Sequence, residues 1–151
     1  MTHQRTTSRP AFIARPEASR IARAMAAIRL GIGAIGVLAP GRLAWRLFVP
    51  GGPADEATAL ALRAAAARDL ALGLGTALAS QRGPGPLRGW LLAAALADCC
   101  DVITIARSKS ASTAVRTVTA LVSALSAGTQ IALARRLSGF AGGGRADGRW
   151  S

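Results

Sequence analysis

The sequence predicts an all-α protein, an integral membrane antiparallel four-helix bundle. Hydrophobic residues make up 51% of the 151 residues and aromatic residues only 4%, and Ala and Leu, which dominate the apolar content, favour helix over strand. Four apolar segments are each about 20 residues long, the length that crosses a hydrocarbon core. Short polar or Pro/Gly-rich stretches separate them, which indicates tight connections between antiparallel neighbours.

These segments define the domain organisation. A basic N-terminal arm, residues 1–20, contains two prolines and is expected to be disordered. The transmembrane domain, residues 21–134, is predicted to hold four spans, at 21–39, 57–80, 87–106 and 114–134. A Gly- and Arg-rich tail, residues 135–151, is also expected to be disordered.

Each connection has its own signal. Pro40-Gly41 ends the first span, and an amphipathic segment at 43–49 and a turn at 50–53 follow it. Asp55 or Glu56 is expected to cap the second helix. Gln81–Pro86 separates the second and third spans, and the polar stretch Ser108–Thr113 separates the third and fourth.

The charge is strongly positive, with 19 Lys and Arg against 7 Asp and Glu and a net charge of +12. Arginines are concentrated at both termini, where no aromatic residues alternate with them as a base-stacking surface requires. This distribution argues against nucleic acid as a partner. It favours contact with anionic lipid head groups at the cytoplasmic face of a bilayer. A soluble Ala-rich bundle remains the alternative, since the mean hydropathy is only +0.34.

The positive-inside rule predicts the orientation. With the N-terminus in the cytoplasm, eleven arginines in or next to the arm, the middle connection and the tail lie on that side: Arg5, Arg9, Arg15, Arg20, Arg23, Arg82, Arg88, Arg135, Arg136, Arg145 and Arg149. The other side then holds four basic residues, Arg42, Arg46, Arg107 and Lys109. We therefore expect a multi-pass protein of the cell membrane with both termini cytoplasmic.

Four charged residues lie midway along apolar segments: Arg68 and Asp69 on the second, and Asp98 and Asp101 on the third. A charge at bilayer depth costs about 2.5–3.5 kcal/mol on insertion scales, so such residues usually face a partner or a cavity. Asp98 and Asp101 are three residues apart and share a helix face. We expect the four side chains to form a buried polar core, with Arg68 as the counter-charge of one of the two acids.

Arg68 is predicted to be the central cation of this core, so that Arg68→Ala is the most damaging single substitution. Arg63 and Arg29, nearer the helix ends, are the alternative counter-charges, and Arg63→Ala is expected to be mild. Two interpretations of the core stay open. It can hold the helices in register, or it can form a proton or ligand site, as intramembrane acids often do.

Small residues are expected to let the helices approach one another closely. On the first and second spans these are Gly31, Gly33, Gly36, Gly73 and Gly75. The first three match G-x-G-x-x-G, but no β-rich segment precedes them and Pro40-Gly41 soon ends the helix, which argues against a dinucleotide fold.

We expect no metal, no cofactor and no enzymatic activity. Adjacent residues on a helix diverge by about 100°, so Asp98-Cys99-Cys100-Asp101 cannot converge on one ion. His3 is the single histidine, and it lies outside the apolar spans. The Asp98-Cys99-Cys100-Asp101 motif is similar to the first half of the paired-aspartate signature of CDP-alcohol phosphotransferases. The second half is missing, because no acid occurs between Asp101 and Asp147.

The segments Ala67-Arg68-Asp69-Leu70-Ala71-Leu72-Gly73 and Asp98-Cys99-Cys100-Asp101 resemble those of a family of small, uncharacterised four-span bacterial membrane proteins. That family has A-R-D-x-x-x-G on the second span and D-x-x-D on the third, and is distantly DoxX-like in architecture. The resemblance covers about residues 21–134. It implies that the four charged residues are characteristic of the family, and it implies no activity.

Two functions remain open at this stage. The first is a non-enzymatic accessory or scaffold component that associates with a membrane-protein partner or with a second copy of the chain. The second is a minimal proton- or small-molecule-linked transporter, or a redox-associated membrane component, that uses Asp98 and Asp101. Access of water to these acids distinguishes the two.

Overall fold

A computed structural model of the chain describes residues 14–41, 56–109 and 111–138. The described residues form four α-helices and no strand, which confirms the all-α prediction for this part of the chain. We label the helices α1 (Ala14–Leu38), α2 (Glu56–Arg82), α3 (Pro84–Arg107) and α4 (Thr113–Ser138). Each is 24 to 27 residues long.

Local sequence signals set the helix ends. A single residue, Gly83, separates α2 from α3, and its φ of 115° is a conformation that side-chain-bearing residues rarely adopt. Pro84 follows at the first position of α3, where a missing N–H costs nothing. At the start of α4 the Ser112 hydroxyl accepts a hydrogen bond from the Val115 backbone N–H at 3.3 Å, as an N-cap does.

The helices extend beyond several predicted boundaries. Residues 14–20 of the predicted disordered arm belong to α1, because Pro16 falls in the first turn, where backbone N–H groups have no intrahelical partner. The predicted break at Gln81–Pro86 shrinks to Gly83, and α4 continues four residues past 134. Residues 1–13, the amphipathic segment 43–49, the turn 50–53 and the tail from 139 onward lie outside the described residues.

The four helices pack unequally. α1 packs extensively against α2, and α3 against α4, while α2 and α3 share a smaller contact and α1 barely touches α4. Glycines allow the close approach of α1 and α2. A Cβ on Gly33 would lie 2.8 Å from the Ala66 carbonyl oxygen, and one on Gly73 would lie 3.0 Å from the Ala26 carbonyl oxygen.

The five predicted packing glycines do not all lie against a neighbouring helix. Gly36 is buried, and a Cβ on Gly75 would overlap the Trp90 ring of α3. Gly31 is exposed, and a Cβ there would meet nothing within 4 Å. Among the described residues it therefore packs against no neighbouring helix, because the two-residue step from Gly33 to Gly31 turns the helix by about 200°.

One hydrophobic cluster draws on all four helices. It joins the first half of α1, the end of α2, the first half of α3 and the end of α4. Leu87 and Leu91 are its largest apolar side chains that are almost completely buried. The remaining members are Ala18, Ala22, Ala79, Leu133, Ala134 and Leu137, with Met25 packed against them. This cluster therefore packs all four helices together at one end of the described structure.

Three helices are long and apolar enough to cross a membrane: α1 over Glu17–Leu38, α3 over Pro84–Arg107 and α4 over Thr113–Ser138. Large apolar side chains on these helices are exposed, among them Ile35, Leu96, Leu121 and Leu125. Within the described residues α2 does not reach the same level of hydropathy, because Arg68 and Asp69 interrupt its apolar sequence.

Candidate functional site: an Arg/Asp network beside a cavity

Two arginine–aspartate pairs lie at the centre of the structure. Arg68 of α2 donates from Nη1 and Nη2 to the two carboxylate oxygens of Asp101 of α3, both at 2.7 Å. Arg29 of α1 donates from Nη2 to both oxygens of Asp98 of α3, each at 2.6 Å. These short, charge-assisted contacts are the strongest class of side-chain hydrogen bond.

Asp69 joins the two pairs. Its Oδ1 accepts a hydrogen bond from Arg29 Nη1 at 2.8 Å and a longer one from Arg68 Nη2 at 3.4 Å. Arg29, Arg68, Asp69, Asp98 and Asp101 therefore form one connected set, the Arg/Asp network. Three carboxylates and two guanidinium groups give the network a formal charge of −1 when all are ionised.

Gln130 connects the fourth helix to the network. Its Nε2 donates to Asp98 Oδ2 at 2.7 Å and to Ser126 Oγ at 2.8 Å. Arg29 comes from α1, Arg68 and Asp69 from α2, the two remaining aspartates from α3, and Gln130 from α4. One set of hydrogen bonds thus joins all four helices, including α1 and α3, which otherwise have little contact with each other.

Burial divides the network into an inner and an outer part. The Asp98 and Arg29 side chains are 7% and 11% exposed, whereas Arg68 and Asp101 are both 35% exposed. Asp69, at 19%, lies between them. Loss of one partner from the inner pair, Arg29 and Asp98, would therefore leave the other charge with less solvation than in the outer pair.

The structure brings the four predicted residues together, and Arg68 is the counter-charge of one of the two acids, as expected. Arg68 contacts Asp101 and not Asp98, and the counter-charge of Asp98 is Arg29. Arg29 also contacts two other helices, so it takes the central place that the sequence assigned to Arg68. Arg63 is exposed, and none of the contacts of the network involves it.

A cavity of about 370 Å³ adjoins the network on the side where α1 and α4 barely touch. Three aspartates of the network and Arg29 line its polar part, together with Ser123, Ser126 and Thr129. Its apolar lining consists of Met25, Ile28, Ile32, Val122 and Leu125. The volume lies within the range of small-molecule sites, and an apolar cavity with a few convergent polar groups is typical of such sites.

Sequence reasoning did not include Arg29 or Gln130 among the site residues. A signal existed for each, because both interrupt apolar sequence on helices that can span a membrane. Arg29 was considered only as a reachable alternative, since its position suggested a place nearer the helix end. Gln130 is an uncharged amide, so the criterion of a charge within an apolar segment does not identify it.

Within the described ranges, no group of three or more His, Cys, Asp or Glu side chains is arranged to hold a metal ion. Cys99 and Cys100 are exposed on α3 and have free thiols. The chain matches no protein-family model, no curated protein and no solved structure. The function therefore has to be argued from the Arg/Asp network and the cavity beside it.

Proposed function

We propose that the protein is a four-helix integral membrane protein in which α2 is the fourth span. The charges that lower the hydropathy of α2 are both ion-paired with neighbouring helices, which reduces the cost of placing them in a bilayer. The exposed apolar side chains of the other three helices would then face lipid. The proposed location is the cell membrane.

Several contacts support an antiparallel arrangement. Gly33 lies against residues 66 and 70 of α2, and Gly73 lies against residues 26 and 30 of α1, a pattern that fits two helices running in opposite directions. The hydrophobic cluster likewise joins the beginnings of α1 and α3 to the ends of α2 and α4. With the positive-inside rule, this end of the bundle would face the cytoplasm, together with both termini.

Reporter fusions test this topology. An alkaline phosphatase reporter, which is active only outside the cytoplasm, should be active after Gly52 and inactive after Gly83 and after Arg145. Activity after Gly83 or Arg145, or inactivity after Gly52, would contradict the proposed orientation. Recovery of the full-length protein in the supernatant after high-speed centrifugation would contradict membrane insertion itself.

For the activity, we infer a small-molecule- or proton-linked membrane protein that uses the Arg/Asp network as its binding site, and no enzyme. The observation that carries this inference is the cavity lined by all three carboxylates of a network with a net negative charge. A network that only held the helices in register would be expected to balance its charges and to exclude open space. Here three carboxylates share two arginines, so the network carries one excess negative charge, and the open space lies beside it.

Carbodiimide labelling of intact membranes tests access to the network. These reagents modify carboxyl groups that become protonated in an apolar environment, so labelling of any of the three aspartates would support a site reachable from outside. We expect Asp69 to react fastest, because both oxygens of Asp98 and of Asp101 accept hydrogen bonds from arginine. Protection of all three aspartates throughout the reaction would overturn the proposed function.

The second candidate is an accessory or scaffold component, and the weak contact between α1 and α4 favours it. Exposed Ile28 and Leu125 flank this seam, where a helix of a membrane-protein partner or of a second copy could pack. A partner helix in the seam would cover the cavity. The carbodiimide experiment then gives the opposite result, complete protection of the network.

A further inference from the structure

The three carboxylates of the network differ in how fully their oxygens are satisfied. Arg29 donates to both oxygens of Asp98, and Arg68 donates to both oxygens of Asp101. Asp69 receives both of its hydrogen bonds on Oδ1. Among the described residues, no donor reaches Asp69 Oδ2. The negative charge without a matching arginine is therefore best assigned to Asp69, which lines the cavity.

A second acceptor, next to the Arg/Asp network, also lacks a donor among the described residues. Gln130 is 1% exposed, and its Oε1 has no hydrogen-bond partner within the described ranges. The amide cannot simply be reversed, because its Nε2 donates to Asp98 and to Ser126, and an oxygen in that place would face a carboxylate. A buried acceptor without a donor is unfavourable. Asp98 and Ser126, the two groups that Gln130 contacts, both line the cavity.

The surroundings of the cavity suggest how a ligand would enter. Ile28, Ile32, Val122 and Leu125 line it, and all four are substantially exposed on the surfaces of α1 and α4. Because these two helices barely touch, the cavity is bordered by side chains that would face lipid in the proposed membrane protein. A ligand that reached it by this route would need an apolar part.

We propose that the cavity binds a small amphipathic organic cation, a primary or secondary ammonium attached to an apolar group, with Asp69 as the carboxylate that receives the ammonium. This inference rests on the proposed function and specifies its ligand. The ammonium supplies the one positive charge that balances the network and an N–H donor for Asp69 Oδ2. The apolar group fits against the isoleucine, valine and leucine side chains of α1 and α4.

Other ligand classes fit less well. An anion would meet a network that already carries an excess negative charge, and like charges in a desolvated site are strongly unfavourable. An uncharged ligand would leave the excess charge of Asp69 uncompensated. An inorganic cation would neutralise that charge but make no use of the apolar lining.

The test measures binding of three similar probes to the full-length protein in phosphatidylcholine nanodiscs, which carry no net lipid charge. The probes are phenethylammonium, the uncharged 2-phenylethanol and the anionic 3-phenylpropanoate. Titration calorimetry should detect saturable binding of phenethylammonium alone. Asp69→Asn should lower its affinity at least tenfold, since the variant keeps the shape of the site and removes the charge. Glu56→Gln, an equal charge change at an exposed position of the same helix, should leave the affinity unchanged.

A measurement on the wild-type protein covers the case in which Asp69→Asn does not fold. Phenethylammonium should protect Asp69 from carbodiimide, and 2-phenylethanol at the same concentration should not. Mass spectrometry scores protection as unmodified Asp69, so that a phenethylamide formed by coupling of the amine to the activated carboxyl counts as modification. Equal protection by both probes, or none by the cation, would overturn the proposal. So would equal affinities of the wild type and Asp69→Asn for phenethylammonium.

Different results contradict the proposed function and the proposal of an organic cation as its ligand. Carbodiimide labelling of the network without phenethylammonium binding would overturn the cation proposal and leave the proposed function standing. Protection of all three aspartates in the absence of any ligand would overturn both.

Discussion

Arg29 is the residue whose loss should damage the structure most. Its guanidinium contacts Asp98 at 2.6 Å and Asp69 at 2.8 Å, and the Arg29 side chain is only 11% exposed. Arg29→Met keeps the length and apolar stem of the side chain while removing the charge. It would leave Asp98, 7% exposed, with Gln130 as its remaining donor. Breaking a buried pair in this way costs about 3–5 kcal/mol.

The outer pair gives a matched comparison. Arg68 and Asp101 have equally short contacts, but each side chain is 35% exposed, so water can solvate the carboxylate that remains after Arg68→Met. We expect a loss of about 1 kcal/mol, the upper end for exposed ion pairs. Arg63→Met, an exposed arginine on the same helix as Arg68, serves as the control and should change the stability little.

The assay is reversible unfolding of the purified protein from mild detergent with increasing SDS, followed by circular dichroism. A double-mutant cycle then isolates the pair, because Arg29→Met together with Asp98→Leu removes both charges and should be much more stable than Arg29→Met alone. The reasoning is refuted if Arg68→Met destabilises the protein as much as Arg29→Met does. It is also refuted if the double variant is no more stable than the single one.

Further substitutions test the packing, the turn and the network in the same assay. Gly33→Ala should lower the free energy of unfolding by about 1–3 kcal/mol, as overpacking does. Gly31→Ala, on the exposed face, should leave the stability unchanged or raise it slightly, and equal effects of the two would contradict the packing of α1 on α2. Gly83→Ala should lose about 1–3 kcal/mol through backbone strain at positive φ, and no loss would contradict that turn. Gln130→Glu adds a fourth carboxylate to the network, beside Asp98, so this variant should be far less stable than the Gln130→Leu variant. The reverse order of stabilities would show that the amide is not a donor to the network.

Much of the helical framework was already determined by local sequence. Composition, segment length and the breaks at Pro40-Gly41, Gln81–Pro86 and Ser108–Thr113 predicted four helices, and the described residues form four helices at these places. The boundaries moved by a few residues where a proline fell in a first turn or where a single glycine was enough for a connection. These features depend on neighbouring residues, so the sequence contains them directly.

The sequence also identified most of the charged residues of the network, because a charge in an apolar segment needs a partner wherever the helix lies. It could not assign the partners. Arg68 and Asp69 are adjacent, yet they contact different helices, and the counter-charge of Asp98 comes from helix α1. A choice among several arginines depends on the rotation and depth of each helix, which the packing of all four helices sets together.

The cavity is a property of the tertiary structure alone. It exists because Gly33 and Gly73 draw α1 towards α2 while α3 packs on α4, so that α1 and α4 are left with little contact. The same packing directs the amide of Gln130 to Asp98 and leaves Asp69 Oδ2 without a donor among the described residues. Residue types determined which groups need a partner, whereas helix packing determined which groups meet, because side chains on a rigid helix can contact only what its neighbours bring within reach.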